Sequence, residues 1–313
     1  MNKGDGAMKE DLEIAKNPDI NKILVVGPNG NVGRRLIPAL LKSGYKVRTL
    51  QYRSKVEPRE GLEVVQGHTL DIKSLEEAMK GVEAVCHLIR ATGPGNNDFE
   101  KWFNCAVAGS ANLLETAKKA RLKRFIAGSA DNVFGHATIP HYGSINENFP
   151  KRFADGYYGL FKIVEEEMCR QYYLGFEVPV VVARFGWTWT EEFVGHGAGC
   201  LDGKNRKIIK RMDRNGNPFV RHDTHVDDAV QGILLSLQKA EAVGQDFNFV
   251  APAPYSSTEL CRILSSKYDW PVVEQKTDYY SWTTSCEKAR SVLGYRPQVN
   301  LLDWLGNKLD EQS

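Results

Sequence analysis

The stretch Lys22-Ile-Leu-Val-Val-Gly-Pro-Asn-Gly-Asn-Val-Gly33 constrains this chain more than any other. A short apolar run stops abruptly at Gly27. An amphipathic helical pattern then starts at Val32, with Leu36, Ile37, Leu40 and Leu41 on one face and Gly44 at its end. The three glycines between them meet three separate needs: a tight turn, an approach of backbone to a ligand, and close packing of helix on strand. The helix opens with free N–H groups and the positive end of its macrodipole, a place suited to phosphate. Three glycines alone are a weak signal, but between a strand and a helix at the head of an alternating series they predict a dinucleotide pyrophosphate site.

That series is legible downstream. Strands are expected at 45–50, 62–65, 84–89 and from 124, with helices at 74–79 and 99–120 between them. A helix at 157–173 and a β-branched strand at 178–183 follow, then a helix at 227–238 and a strand at 246–250. Such alternation predicts parallel βαβ units with both sheet faces covered. The expected fold is α/β: a Rossmann-type doubly wound parallel sheet with a smaller C-terminal mixed α/β substrate subdomain. The expected boundaries are a polar N-terminal arm at 1–20, an NAD(P)-binding domain at 21–186 and a substrate-binding subdomain at 187–313. Residues 221–250 are expected to return to the sheet. Residues 187–220 read as loops with short elements.

Composition removes other classes. Among 313 residues a net charge of +2 gives no electrostatic case for nucleic acid or an anionic membrane. No apolar run reaches the roughly 18–20 residues of a membrane span. The first 22 residues lack the apolar core of a secretory signal. Cys86, Cys105, Cys169, Cys200, Cys261 and Cys286 show no C-x-x-C spacing and no histidine cluster beside them, so no metal site is expected. Buried reduced thiols, a cytoplasmic location and a small-molecule partner fit these features.

Two further constellations carry chemistry. The second strand ends Leu50-Gln51-Tyr52-Arg53, with no acid to accept from a ribose 2′-hydroxyl, and Arg34 follows the glycine turn. Two arginines without a carboxylate favour NADP over NAD. Tyr158-Gly-Leu-Phe-Lys162 places a phenol and an ammonium on one helix face. The nearby positive charge stabilises the phenolate, which suits the tyrosine to acid/base work.

With these motifs the chain resembles the extended short-chain dehydrogenase/reductases, the NAD-dependent epimerase/dehydratase family. The resemblance runs from Lys22 to about Pro297. It includes His87-Leu-Ile, Asn104 opening Asn-Cys-Ala-Val-Ala-Gly-Ser-Ala-Asn-Leu-Leu-Glu, Ser129-Ala-Asp-Asn-Val-Phe-Gly135, Arg221-His-Asp-Thr-His-Val-Asp-Asp228 and Lys288-Ala-Arg-Ser-Val-Leu-Gly-Tyr-Arg-Pro297. It implies Tyr158 as acid/base with Lys162 in support, and a pyrophosphate cradle at Gly27, Asn29, Gly30, Asn31, Val32 and Gly33. His68 and Thr69 are implied beside adenine, although the acid usual there is absent. Leu88, Ile89 and Arg90 are implied along the cofactor, and Arg34 and Arg53 at its 2′-position.

One position departs from the family pattern. Five residues before Gly135, where Ser or Thr is usual, stands Ala130, which has no hydroxyl for the reacting oxygen. Ser129, Asp131 and Asn132 flank it as candidate replacements, and dehydratases of the family carry an aspartate at the position of Asp131. Trp187 is a candidate substrate contact. The implied activity is hydride transfer between NAD(P) and a carbinol carbon of a small polar, sugar-like metabolite. Alternatives are an epimerase or dehydratase that uses the dinucleotide transiently, and a non-catalytic NAD(P)-binding redox sensor, for which Ala130 speaks. A homodimer through the helices around 104–119 and 158–173 is also implied.

Three features stay outside this scheme. Gly195-His196-Gly197-Ala-Gly199 reads as a lid or an ordinary loop. The basic run at 204–214 reads as a solvated charged face rather than an anion site. His225-Val-Asp227-Asp228 reads as structural, its acids suiting the first turn of a helix.

Overall fold

The structure is a computed structural model and describes residues 14–52, 56–89, 98–152 and 156–311. β1 (Lys22–Val26) leads through the glycine turn into α1 (Asn31–Lys42), followed by β2 (Lys46–Gln51), β3 (Leu62–Gln66), α2 (Ile72–Met79) and β4 (Ala84–His87). The predicted helix at 99–120 is one rod in three parts: α3 (Phe99–Trp102), a π-helical stretch (Phe103–Ala108) and α4 (Gly109–Ala120). β5 (Arg124–Ala130) ends in a 3-10 turn (Asp131–Phe134), then come α5 (Gly156–Phe176) and β6 (Val180–Phe185).

Beyond β6 the chain is richer in structure than its sequence suggests. β7 (Thr188–Trp189), a 3-10 segment (Glu191–Gly199), β8 (Leu201–Asp202), β9 (Lys207–Met212), β10 (Val220–Arg221) and β11 (Thr224–His225) precede α6 (Val226–Gln238). β12 (Asp246–Phe249), β13 (Tyr255–Ser256), α7 (Ser257–Ser265), β14 (Val272–Lys276) and α8 (Leu301–Glu311) complete the described chain.

Seven strands form one parallel sheet in the order β12-β6-β5-β4-β1-β2-β3. The fold is therefore of Rossmann type, as the alternation predicts. β1 shows why both faces must be covered. Ile23 and Val25 enter a core with Leu36, Ile37 and Leu40 of α1 and Ala229 and Ile233 of α6. Leu24 and Val26 enter the opposite core with Leu75 of α2 and Leu113, Leu114 and Ala117 of α4. A strand apolar at every position suits two buried faces. Strand order reverses between β1 and β4, and ligands of open α/β sheets bind in the crevice at such a point.

A third core joins Trp189, Ile208, Leu260, Leu264, Leu301 and Leu305 beside this sheet. There the basic run at 204–214 proves to contain β9, the middle strand of a sheet ordered β14-β9-β8. Ile208 is fully buried, Lys210 pairs with Glu274 at 2.9 Å, and Arg211 lines the central cleft. One fully buried position, Ile208, among Lys and Arg side chains leaves no period-2 signal, so the run reads as a charged face. The Gly195–Gly199 run is packed only in part: Gly197 (φ 50°) and Ala198 (φ 52°) are buried, whereas Gly195 and His196 are exposed. The end of the polar arm is anchored too, since Ile20 is buried and the Asn17 side chain donates to the Leu237 carbonyl at 2.9 Å. Among the described residues no helix is long and apolar enough to cross a membrane.

Candidate active site

A cleft of about 1380 Å³ opens at the β1–β4 crossover and runs from the glycine turn to the β9–β10 region. At the glycine-turn end the three glycines do different jobs. Gly27 has φ +92°, and a Cβ there would lie 2.9 Å from the Leu88 carbonyl carbon. A Cβ on Gly33 would lie 2.2 Å from the Gly27 carbonyl oxygen. Gly30 is different: φ is −70°, and its Cβ would meet only the Gly27 oxygen, at 3.6 Å. Nothing in the protein demands glycine at that position, so the open space in front of it points to a ligand. α1 has no side-chain cap at Gly30 and no acid in its first turn, leaving its positive end facing the cleft. The buried Asn29 Nδ2 lacks a partner. This cradle fits a pyrophosphate.

Farther along, Leu88 and Ile89 form a wall, and the rings of Tyr52 and His68 meet edge to face at 4.5 Å. His68 is fixed by accepting from the Leu70 amide at Nδ1, and Thr69 is buried against Gly109. Arg34 does not line the cleft. It pairs with Glu192 at 2.7 Å, an exposed contact, and also donates to Asn31 Oδ1 of the turn at 3.4 Å. Arg53 and Arg90 lie outside the described residues.

In the middle of the cleft Tyr158 and Lys162 rise from the first turns of α5. The Tyr158 ring packs on Trp102, centroids 5.4 Å apart. The Lys162 ammonium donates to the Gly128 carbonyl at 2.8 Å and to Glu165 Oε2 at 2.7 Å. The other Glu165 oxygen accepts from Ser110 Oγ at 2.9 Å and lies 2.8 Å from His87 Nε2. Burial alone would raise the Glu165 pKa, but the Lys162 charge and then the His87 contact outweigh it and hold the carboxyl at about 2. Burial likewise disfavours the charged form of Lys162, and Glu165 reverses this, raising its pKa.

The far end of the cleft is lined by β5, the turn after it and residues from 186 onward. Ala130 lines it where a hydroxyl is usual, and Ser129 Oγ beside it is buried without a partner. Asp131 and Asn132 follow at the mouth of the 3-10 turn. Burial, then the Asp223 charge, lifts the Asp131 carboxyl to about 7 against the opposing pull of Arg221. His136, which sequence reasoning missed, stands 3.6 Å from Asp131, and burial pushes its imidazole down to about 3, keeping it neutral. Trp187 lies over the Arg221 guanidinium at 4.2 Å, and Trp282, also missed, flanks it at 5.7 Å. Arg221 is ion-paired with the buried Asp223 at 2.9 Å. Thus every expected site residue among the described ones, Arg34 excepted, borders one cleft. The local sequence signals for the missed residues are weak: His136 directly follows the Ser129–Gly135 motif, Glu165 lies one helical turn after Lys162, and Trp282 comes from a distant segment.

The family model for the NAD dependent epimerase/dehydratase family matches residues 23–249. The chain belongs to that family. Its members are enzymes, and this chain is an NAD(P)-dependent enzyme of the same type, with the dinucleotide cradle and the Tyr158–Lys162 pair on one crevice. Among curated proteins, the sterol demethylase protein B of Methylococcus capsulatus is 32% identical over 129 residues, covering 40% of this chain and 38% of that protein. The uncharacterized UDP-glucose epimerase YtcB of Bacillus subtilis is 23% identical across 92% of this chain and 96% of its own length. A short-chain dehydrogenase/reductase superfamily protein from Agrobacterium tumefaciens, solved with bound NAD, superimposes with a TM-score of 0.82 at 27% identity, covering 93% of this chain and 98% of that one. As an epimerase/dehydratase family member, the chain departs from the usual pattern at Ala130.

Proposed function

We propose that this enzyme is an oxidoreductase that moves a hydride between NAD(P) and a carbinol carbon of a small polar, sugar-like metabolite. The observation that carries the reading is the continuity of one cleft: Tyr158 and Lys162 stand between the glycine cradle and the pocket of Ala130, Asp131, Asn132 and Trp187. The nicotinamide supplies the hydride chemistry that side chains cannot. Tyr158 exchanges the proton of the substrate oxygen, and Lys162 stabilises the phenolate. With no hydroxyl at Ala130, Ser129 Oγ and the Asp131 carboxyl are the nearest groups left to orient that oxygen. The region from residue 187 onward, with the rings of Trp187, Phe219, Tyr279 and Trp282 in the cleft, forms the substrate-binding part. Flat apolar rings of this kind suit the faces of a sugar.

Asp131 favours a second reading, a dehydratase or epimerase that returns the dinucleotide unchanged. A carboxyl near pH 7 can give up or take a proton during elimination. A panel of sugars, sugar acids and small ketones, followed at the reduced-nicotinamide absorbance, separates the two. Net change of the dinucleotide supports the oxidoreductase, and conversion of substrate without it supports the internal-redox reading. No conversion of any panel member together with no dinucleotide binding overturns both.

On the cofactor, the acid-free end of β2 supports NADP over NAD. A homodimer through the helical segment 99–120 and α5 has support in the exposed Phe99 and Phe103 at the start of that segment, whose rings stack at 5.8 Å beside Tyr157 and Phe161 of α5.

A further inference from the structure

We propose that Glu165 is a positioning residue for the Tyr158–Lys162 pair: it clamps the lysine ammonium and offsets its charge, so that the tyrosine keeps its proton to higher pH. The catalytic consequence rests on the reading of Tyr158 as acid/base, whereas the electrostatic coupling itself does not. An ammonium has three N–H donors. Gly128 and Glu165 take two of those on Lys162, at 2.8 and 2.7 Å, which leaves one for the cleft that Lys162 lines. The carboxylate is itself immobilised, because His87 at the end of β4 and Ser110 on α4 bind its second oxygen. Three elements, α5, β4 and α4, thus fix one side chain that lies 2% exposed.

The adjacent Glu166 shows what a purely architectural carboxylate looks like on the same helix. It binds Arg184 through both oxygens at 2.8 and 2.9 Å and receives Lys151, joining α5 to β6 away from Tyr158. Glu165 reaches no frame arginine. Its cationic partner is the lysine of the candidate active site. The charged and titratable groups around it are Lys162, Tyr158 and Cys169 on α5, Cys105 on the π-helical stretch and His87 on β4, with Lys101 beyond Cys105 and Glu166 and Lys151 beyond Cys169. A lone buried lysine would draw the phenol strongly toward phenolate. A lysine already paired with a buried carboxylate does so less, because the pair presents a dipole rather than a net charge. A phenol that stays protonated is suited to donate to a carbonyl oxygen, which biases the site toward reduction.

The test uses the protein alone. Ultraviolet absorbance of the phenolate is titrated in the wild type and in Tyr158→Phe, and the difference isolates Tyr158. In Glu165→Gln, checked as folded by circular dichroism, the Tyr158 midpoint is expected to fall by about one pH unit or more. Glu165→Asp keeps the charge at shorter reach, so a smaller fall is expected. A folded Glu165→Gln protein whose curve overlays the wild type overturns the proposal. Loss of folding in both variants also overturns it, by making Glu165 a structural residue only. Failure of the functional reading would show separately, as absent heat on titrating NAD+ or NADP+ into the wild type.

Discussion

At the scale of single residues, the site is defined by one phenol, one ammonium and one missing hydroxyl. Tyr158→Phe removes the proposed proton carrier while leaving the glycine cradle intact. Turnover is expected to fall by about 10²–10⁴-fold with dinucleotide affinity nearly unchanged, as measured by steady-state kinetics and calorimetry. Asp131 makes a prediction about pH and stability. Its carboxyl titrates near 4 in an unfolded chain and at about 7 in the fold, where burial and Asp223 disfavour its charge. The folded state therefore holds the proton more tightly. The contribution of Asp131 to stability is full below about pH 4 and is lost as pH rises through about 7. Asp131→Asn should accordingly raise Tm by several degrees at pH 8 and by much less at pH 4, in thermal unfolding at both values. An equal shift at the two pH values would contradict the assigned environment.

The elements that hold these residues are coupled through the turn and through α5. Gly33→Ala must displace the Gly27 carbonyl, 2.2 Å from the new Cβ, and should cost about 1–3 kcal/mol of stability by denaturant unfolding. Gly30→Ala meets no such clash at φ −70°, so stability should change by less than about 0.5 kcal/mol. Its methyl group occupies the ligand's space instead, and dinucleotide affinity should fall by roughly tenfold or more, read by calorimetry. Opposite outcomes for two glycines of one turn distinguish packing from binding. On α5, Glu166 holds Arg184, which also pairs with Asp246 of β12. Glu166→Ala leaves a buried guanidinium short of a carboxylate and should destabilise by about 3–5 kcal/mol.

For the whole molecule, the seven-stranded sheet and the smaller β9-centred sheet both contribute to the cleft, so its lining combines residues far apart in the chain. Phe99 and Phe103 remain exposed on the outer face of the sheet-covering helices. A homodimer burying them predicts twice the monomer mass by light scattering, and Phe103→Glu should return the monomer without loss of helix content. A monomeric wild type at micromolar concentration would remove that surface from consideration.

Much of the architecture was open to reading because its signals are local. A strand apolar at every position, a turn with three glycines and a helix of matching period lie within one short segment, and each follows from steric or hydrogen-bonding needs of its own residues. The Tyr158–Lys162 spacing is local in the same sense. What the linear order could not disclose depends on distance in space. The clamp on Lys162 needs His87, Ser110 and Gly128 from three other elements. The strand inside the basic 204–214 run is defined by its pairing with β8 and β14. Arg34, adjacent to the turn in sequence, pairs with Glu192 from a segment far along the chain. Periodicity and backbone geometry fix elements one at a time. The charge environment of a side chain is fixed only when separate elements pack and exclude water between them.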